Sequence, residues 1–143
     1  MIKADLTGAF PAYAPPREVL HAIRSTFRTV RRSLKGTMTI ACVSDAKMMS
    51  LNKKWRGKKA STDVLSFSGG QSVAGKRLPF HWGDIVISPA YVARSAKEQR
   101  IPPREEFFRV LIHGVLHLFG YDHATAAEEK KMFAIQERVL QRI

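Results

Sequence analysis

Eleven consecutive residues, HGVLHLFGYDH at 113–123, hold three of the chain's five histidines. They close the segment REEFFRVLIHGVLHLF, whose composition predicts a helix opened by Pro102 and Pro103. Gly120 ends it, in the left-handed conformation that glycine tolerates. His113 and His117 are four residues apart, so on a helix they lie about 40° apart on one face and project side by side. The reversal through Gly120, Tyr121 and Asp122 can bring His123 back against the pair, which completes three imidazoles around one point.

A helix C-terminus carries partial negative charge and favours a cation by a few tenths to about 1 kcal/mol. Three neutral imidazoles with an open fourth position are the composition of a catalytic zinc site, and zinc so held lowers the pKa of water from about 15.7 to about 7. A lone HxxxH on a half-buried helix is common without metal; the third histidine, placed across a glycine, is the distinguishing feature. HxxxHxxGxxH is also the ligand frame of the metzincin proteases, whose motif reads HExxHxxGxxH. Here Gly114 stands in place of the glutamate that acts as general base in peptide hydrolysis. A glycine inside a helix costs about 1 kcal/mol relative to alanine, so its presence points to a need for room, for packing or for a substrate.

The remaining chain alternates helical and extended patterns. PPREVLHAIRSTFRTVRRSL places Val19, Leu20, Ile23, Phe27, Val30 and Leu34 at helical intervals, with Arg17, Arg24, Arg28, Arg31 and Arg32 on its other face. TMTIACV, STDVLSFS and HWGDIVIS read as strands, and GGQSVAGKR as a flexible connection. Ser44 or Asp45 caps a short helix to about Trp55, SPAYVARSAKEQR opens another, and an amphipathic helix from about Ala126 carries Met132, Ile135 and Val139 on one stripe. Three or four strands with about five helices predict an α+β fold, a small mixed sheet packed by helices around a metzincin-like metal-binding helix.

At 143 residues with 45% hydrophobic content the chain is expected to form one domain, 1–143. It has no apolar run near the roughly 20 residues that span a bilayer, and MIKADLTGAF has an acid where a signal peptide would be apolar. A cytoplasmic protein with no membrane partner is expected. Cys42, alone in the chain, reads as a small buried hydrophobe. A formal charge of +12 points to an anionic partner, most often nucleic acid, although a basic surface can serve solubility alone.

HGVLHLFGYDH resembles the HGxLHLxGYDH motif of the YbeY family of bacterial rRNA maturation factors, described as metal-dependent endoribonucleases. LNKKWRGKKASTDVLSF resembles that family's LNxxYRGxDxPTDVLSF, and WGDIVIS its LGDIxIS, in the same order. Lys59 replaces the family's acid and Ser61 its proline. The resemblance runs from about Leu51 to the C-terminus and implies His113, His117 and His123 as ligands of one Zn2+. It also places Arg56 near the metal and links it with activity. The implied catalytic set is therefore Arg56, His113 and His117. The implied substrate is single-stranded ribosomal RNA, cut in maturation of the 16S 3′ end and in ribosome quality control. The implied partners are the small ribosomal subunit, one of its proteins and an assembly GTPase.

Arg56 has a physical rationale of its own, because a guanidinium presents a fork of donors that matches phosphate. Lys53, Lys54, Lys58 and Lys59 surround it as candidate RNA contacts, and Trp55 can either stack on a base or cap the core. Asp63 and Asp84 are expected to bond loop backbone, with a supporting role behind a histidine as the alternative. Asp122 can cap its turn or act on water; His21 and His81 read as structural or exposed. Glu106 shares the histidine face but lies about 10 Å along the helix from His113. Two rival readings stand beside the nuclease: a metalloprotease-like hydrolase, disfavoured by Gly114, and a non-catalytic assembly factor stabilised by zinc.

Overall fold

The computed structural model describes residues 1–69 and 80–143 in full and, between them, the backbone of 72–73 and 76–77. In chain order its elements are β1 (Lys3–Gly8), α1 (Pro16–Thr29), β2 (Thr37–Cys42), α2 (Asp45–Arg56), β3 (Val64–Ser68), β4 (Ser72–Val73), β5 (Lys76–Arg77), β6 (His81–Ile87), α3 (Pro89–Gln99), α4 (Pro103–Leu118) and α5 (Ala126–Gln141). The main sheet has the order β1-β2-β6-β3, parallel except that β3 runs antiparallel to β6. This is the expected α+β fold with a mixed four-stranded sheet. β4 and β5 pair antiparallel inside the segment 69–77 that was expected to be a flexible connection, so part of it is a short hairpin; its residues 70–71 and 74–75 lie outside the described residues.

Two further elements depart from the sequence reading. β1 was not expected, since KADLTG lacks β-branched density and remains largely exposed on the sheet edge; its pairing with β2 through the α1 crossover makes it a strand. α1 stops at Thr29 rather than near Leu34. Arg31 turns left-handed at φ 56°, and the Arg32 amide donates to the Phe27 carbonyl, closing the end while Leu34 still packs on the core. The apolar spacing had continued past a terminus that only backbone hydrogen bonds define.

The sheet has two unequal faces. Met48 of α2 covers Leu65 and Val86 on one, while α1, α4 and α5 fill the other around Phe27, Ile40, Ile85, Leu111 and Val115. From Glu106 to Leu116 every residue of α4 is buried except Arg109 and His113, so this helix is the centre of the domain. Each large apolar side chain it buries contributes about 1.5–3 kcal/mol. Burial also pushes the Cys42 thiol up to about 12, in keeping with the inert role expected of it. Among the described residues no helix is long and apolar enough to cross a membrane.

Gly114 shows what the α4 glycine is for. A Cβ there would meet Ile85 Cγ2 at 3.1 Å and Ser66 Oγ at 3.3 Å, and the Ser66 hydroxyl donates to the Gly114 carbonyl at 3.2 Å. Position 114 faces the sheet, so the room is for packing. Gly114→Glu is therefore expected to bury an unpaired carboxylate and lower stability by about 3–5 kcal/mol, read from denaturant midpoints.

Asp45 ties the loop before β3 to the rest. Its carboxylate accepts from the hydroxyls of Ser61 (2.9 Å) and Ser88 (2.8 Å) and pairs with Arg94. Ser44 caps α2 and Ser88 caps α3. The Arg94 guanidinium first, then the two hydroxyls, hold the Asp45 carboxyl down at about 2. A depressed carboxyl contributes stability that is complete above its unfolded value of about 3.9 and is lost as pH falls towards 2. Thermal midpoints are expected to fall between pH 4 and 2, and Asp45→Asn should flatten that part of the profile.

Candidate metal centre

α4 carries His113 and His117 to its C-terminal end, where Gly120 adopts φ 93° and turns the chain back. The Asp122 carboxylate accepts from the His123 amide at 2.7 Å and shapes this return, as one of its expected roles required. The ligand nitrogens of His113, His117 and His123 all lie within 4.8 Å of one another, a cluster that could hold a metal ion. The two Nε2 atoms of His113 and His117 face each other at 2.9 Å. Two imidazole nitrogens on one tetrahedral zinc lie about 3.4 Å apart, so three imidazoles gathered this closely fit one ion.

The hydrogen bonds behind the rings favour a cation as well. The Gln136 side-chain oxygen accepts from His113 Nδ1 at 2.9 Å, while the Gln136 amide donates to Glu137 at 3.4 Å. That orientation puts the His113 proton on Nδ1 and leaves Nε2 as a lone pair. Arg109 holds Glu137 in turn, with bonds of 2.9 and 3.0 Å. Burial lowers the pKa of His113 and His117 from the ordinary histidine value, and for His117 the neighbouring histidines add to it. Both rings are thereby kept neutral, the form in which imidazole binds metal.

A cavity of about 180 Å³ opens in front of the cluster, lined by all three histidines together with Arg56, Thr62, Asp63 and Ser66. A second, of about 390 Å³, joins Arg56 to His117, His123 and the 120–122 turn. Arg56 thus shares both cavities with the histidines, although it comes from the far end of α2. Lys53, Lys54, Lys58 and Lys59 are all exposed around it. Trp55 is 59% exposed, edge-on to Phe67 with Lys54 above its ring, and so does not cap the core.

Asp63 accepts from the Val64 amide at 2.7 Å, as expected, and also lines the cavity beside His113. Asp84 is apart from the cluster: it bonds His81 at 3.1 Å, whose other nitrogen meets Thr37 at 2.8 Å. Glu106 is buried and engages Ser95, Gln99 and Arg109 rather than His113.

A central helix that delivers two histidines, a glycine turn that returns a third and an arginine at the same opening define a small α+β domain built for chemistry on an anionic substrate. A family model described as endoribonuclease YbeY matches residues 14–143. An endoribonuclease YbeY from Persephonella marina is 40% identical over 107 residues, covering 74% of this chain and 69% of the relative. One from Chelativorans sp. is 32% identical over 139 residues, covering 96% and 85%. The solution structure of a Thermotoga maritima protein superposes with a TM-score of 0.63 at 26% identity, over 99% of this chain and 87% of that one. The chain belongs to the endoribonuclease YbeY family. An endoribonuclease implies RNA as its substrate.

Gln136 went unnoticed in the sequence, yet it interrupts the apolar stripe of α5 between Met132 and Val139 and is only 4% exposed. A polar residue at a core-facing helical position was the available signal. If the cluster holds a metal, Gln136→Leu is expected to weaken its binding by about 10- to 100-fold with the fold intact, measured by competition with a chromophoric chelator.

Proposed function

We propose that this chain is a zinc-dependent, single-strand-specific endoribonuclease of ribosomal RNA processing. It acts as a single domain, 1–143, in the cytoplasm, on the 3′ end of 16S rRNA and in ribosome quality control. The observation that carries the reading is the common cavity of Arg56 and the three histidines. The family supports the RNA substrate, and the motif resemblance supports the ribosomal setting with its small-subunit and assembly-factor partners.

His113, His117 and His123 would hold the zinc. When bound, it supplies Lewis acidity towards a phosphoryl oxygen and towards water. Gln136 orients the His113 ring through Nδ1, and Arg109 with Glu137 fixes that glutamine. Arg56 presents N–H donors to the negative charge that develops on the phosphoryl oxygens, where a preorganised donor is most effective. Lys53, Lys54, Lys58 and Lys59 hold neighbouring phosphates, a contact that carries no sequence information and weakens with salt. The side of α4 that bears Gly114 is packed against the sheet, which leaves no place there for a glutamate base.

Purified His117→Ala is expected to lose zinc and RNA cleavage while keeping its circular dichroism spectrum and most of its RNA affinity. Arg56→Ala should keep its zinc and lose about 10²–10³ in kcat on a defined single-stranded RNA. Cleavage that survives loss of the metal would overturn the mechanism.

A further inference from the structure

A separate cavity of about 180 Å³ lies on the other side of His113, between α4 and α5. It shares His113 and Asp63 with the cavity in front of the histidines, so it opens directly off the reaction centre. Phe133 forms one wall, 43% exposed although it sits on a helix with an apolar stripe available. Its ring lies 6.5 Å from that of His113, at 30° to it. Val110, 6% exposed, supplies an apolar surface one turn along α4 from Glu106 and next to Arg109. From His113 the cavity runs about two turns along α4 to Glu106.

The charge in this cavity argues against a phosphate. Arg109 is its cation, and three carboxylates surround it: Glu137 at 2.9 Å, Glu106 at 3.4 Å and Glu105 at 3.9 Å. Glu106 is itself 6% exposed; one of its oxygens takes the Ser95 and Gln99 donors, and the other has only the 3.4 Å contact with Arg109. A buried acceptor with spare capacity, an exposed aromatic wall and, among the described residues, no unpaired positive charge in the lining suit a flat, neutral ligand that carries hydrogen-bond donors. At 180 Å³ the space is below the roughly 300 Å³ of a drug-sized cleft and takes one ring system.

We propose that this cavity is a subsite for one nucleobase beside the cleaved phosphate, stacked on Phe133 and selected by Glu106 for an exocyclic amino group. The assignment rests on the nuclease reading above. Cytosine, adenine and guanine each offer an amino donor to a carboxylate, whereas uracil has no amino group and its single N3–H lies between two carbonyl oxygens that the carboxylate repels. The strand's phosphates then follow Arg56 and the lysines, while one base turns inward past His113.

The test uses full-length, zinc-loaded protein and a short single-stranded RNA whose cleavage position has been mapped. An abasic nucleotide is placed in turn at each position flanking the cut, with wild type, Phe133→Ala and Phe133→Tyr. At one position the abasic change is expected to lower kcat/KM by about 10-fold, and Phe133→Ala to cause no further loss there. Phe133→Tyr keeps a stacking ring, so the abasic change at that position should cost it about 10-fold, as it does wild type. At that position cytosine→uracil should cost about 10-fold. Zinc content and melting temperature of Phe133→Ala should match wild type, so that a loss reports on the base. Additive losses at every position, or equal cleavage with uracil and cytosine, would sink the subsite while leaving the nuclease reading in place. Wild type that does not cut RNA, or cuts it equally well as His117→Ala, would remove both.

Discussion

Everything at the reaction centre depends on how closely α4 approaches the sheet. Gly114 lets the helix backbone sit against Ile85 and Ser66, and the Ser66 hydroxyl on its carbonyl fixes the contact. Buried nearly all round, the helix has no freedom to rotate, so Arg109 and His113 must emerge on the one side that the sheet and the other helices leave open. Histidines on a less deeply packed helix would keep their spacing but lose their direction. The precision of the site is a consequence of core packing.

The electrostatics divide into two regimes. Behind His113 the acids outnumber the cation, with Arg109 held among three carboxylates and Gln136 passing that order to an imidazole whose pKa burial lowers. In front, exposed positive charge predominates, with Arg56 and four exposed lysines against Asp63 and Asp122. In the proposed function an RNA strand would meet the second regime first, through its phosphates. Past the histidines lies a cavity whose cation Arg109 is already paired, and in the proposed subsite this change of regime would separate holding a backbone from recognising a base.

Most helices were legible because their ends carry local chemistry. Ser44 and Ser88 cap where they were expected to, Pro103 opens α4, and Gly120 ends it. β1 was not legible, since its strand character comes from a parallel partner reached through a whole helix. The end of α1 was misplaced for a related reason: Val30 and Leu34 still reach the core after the helix has stopped, so their spacing outlasts the structure it indicates. In the site, the three histidines were read from spacing alone, Arg56 through its resemblance to a family motif, and Gln136 and Phe133 not at all.

The sequence by itself determined the histidine cluster, because a four-residue separation on a helix and a glycine reversal are local geometry that any well-packed context preserves. It also determined the basic exterior, since charge needs no fold to be counted. Only the tertiary structure decided what surrounds the cluster. Arg56 from α2, Asp63 from the loop before β3, and Gln136 and Phe133 from α5 reach His113 by chain crossings that no local period encodes. It decided the meaning of Gly114 too, because whether a missing side chain makes room for substrate or for a neighbouring strand depends on which face the core occupies.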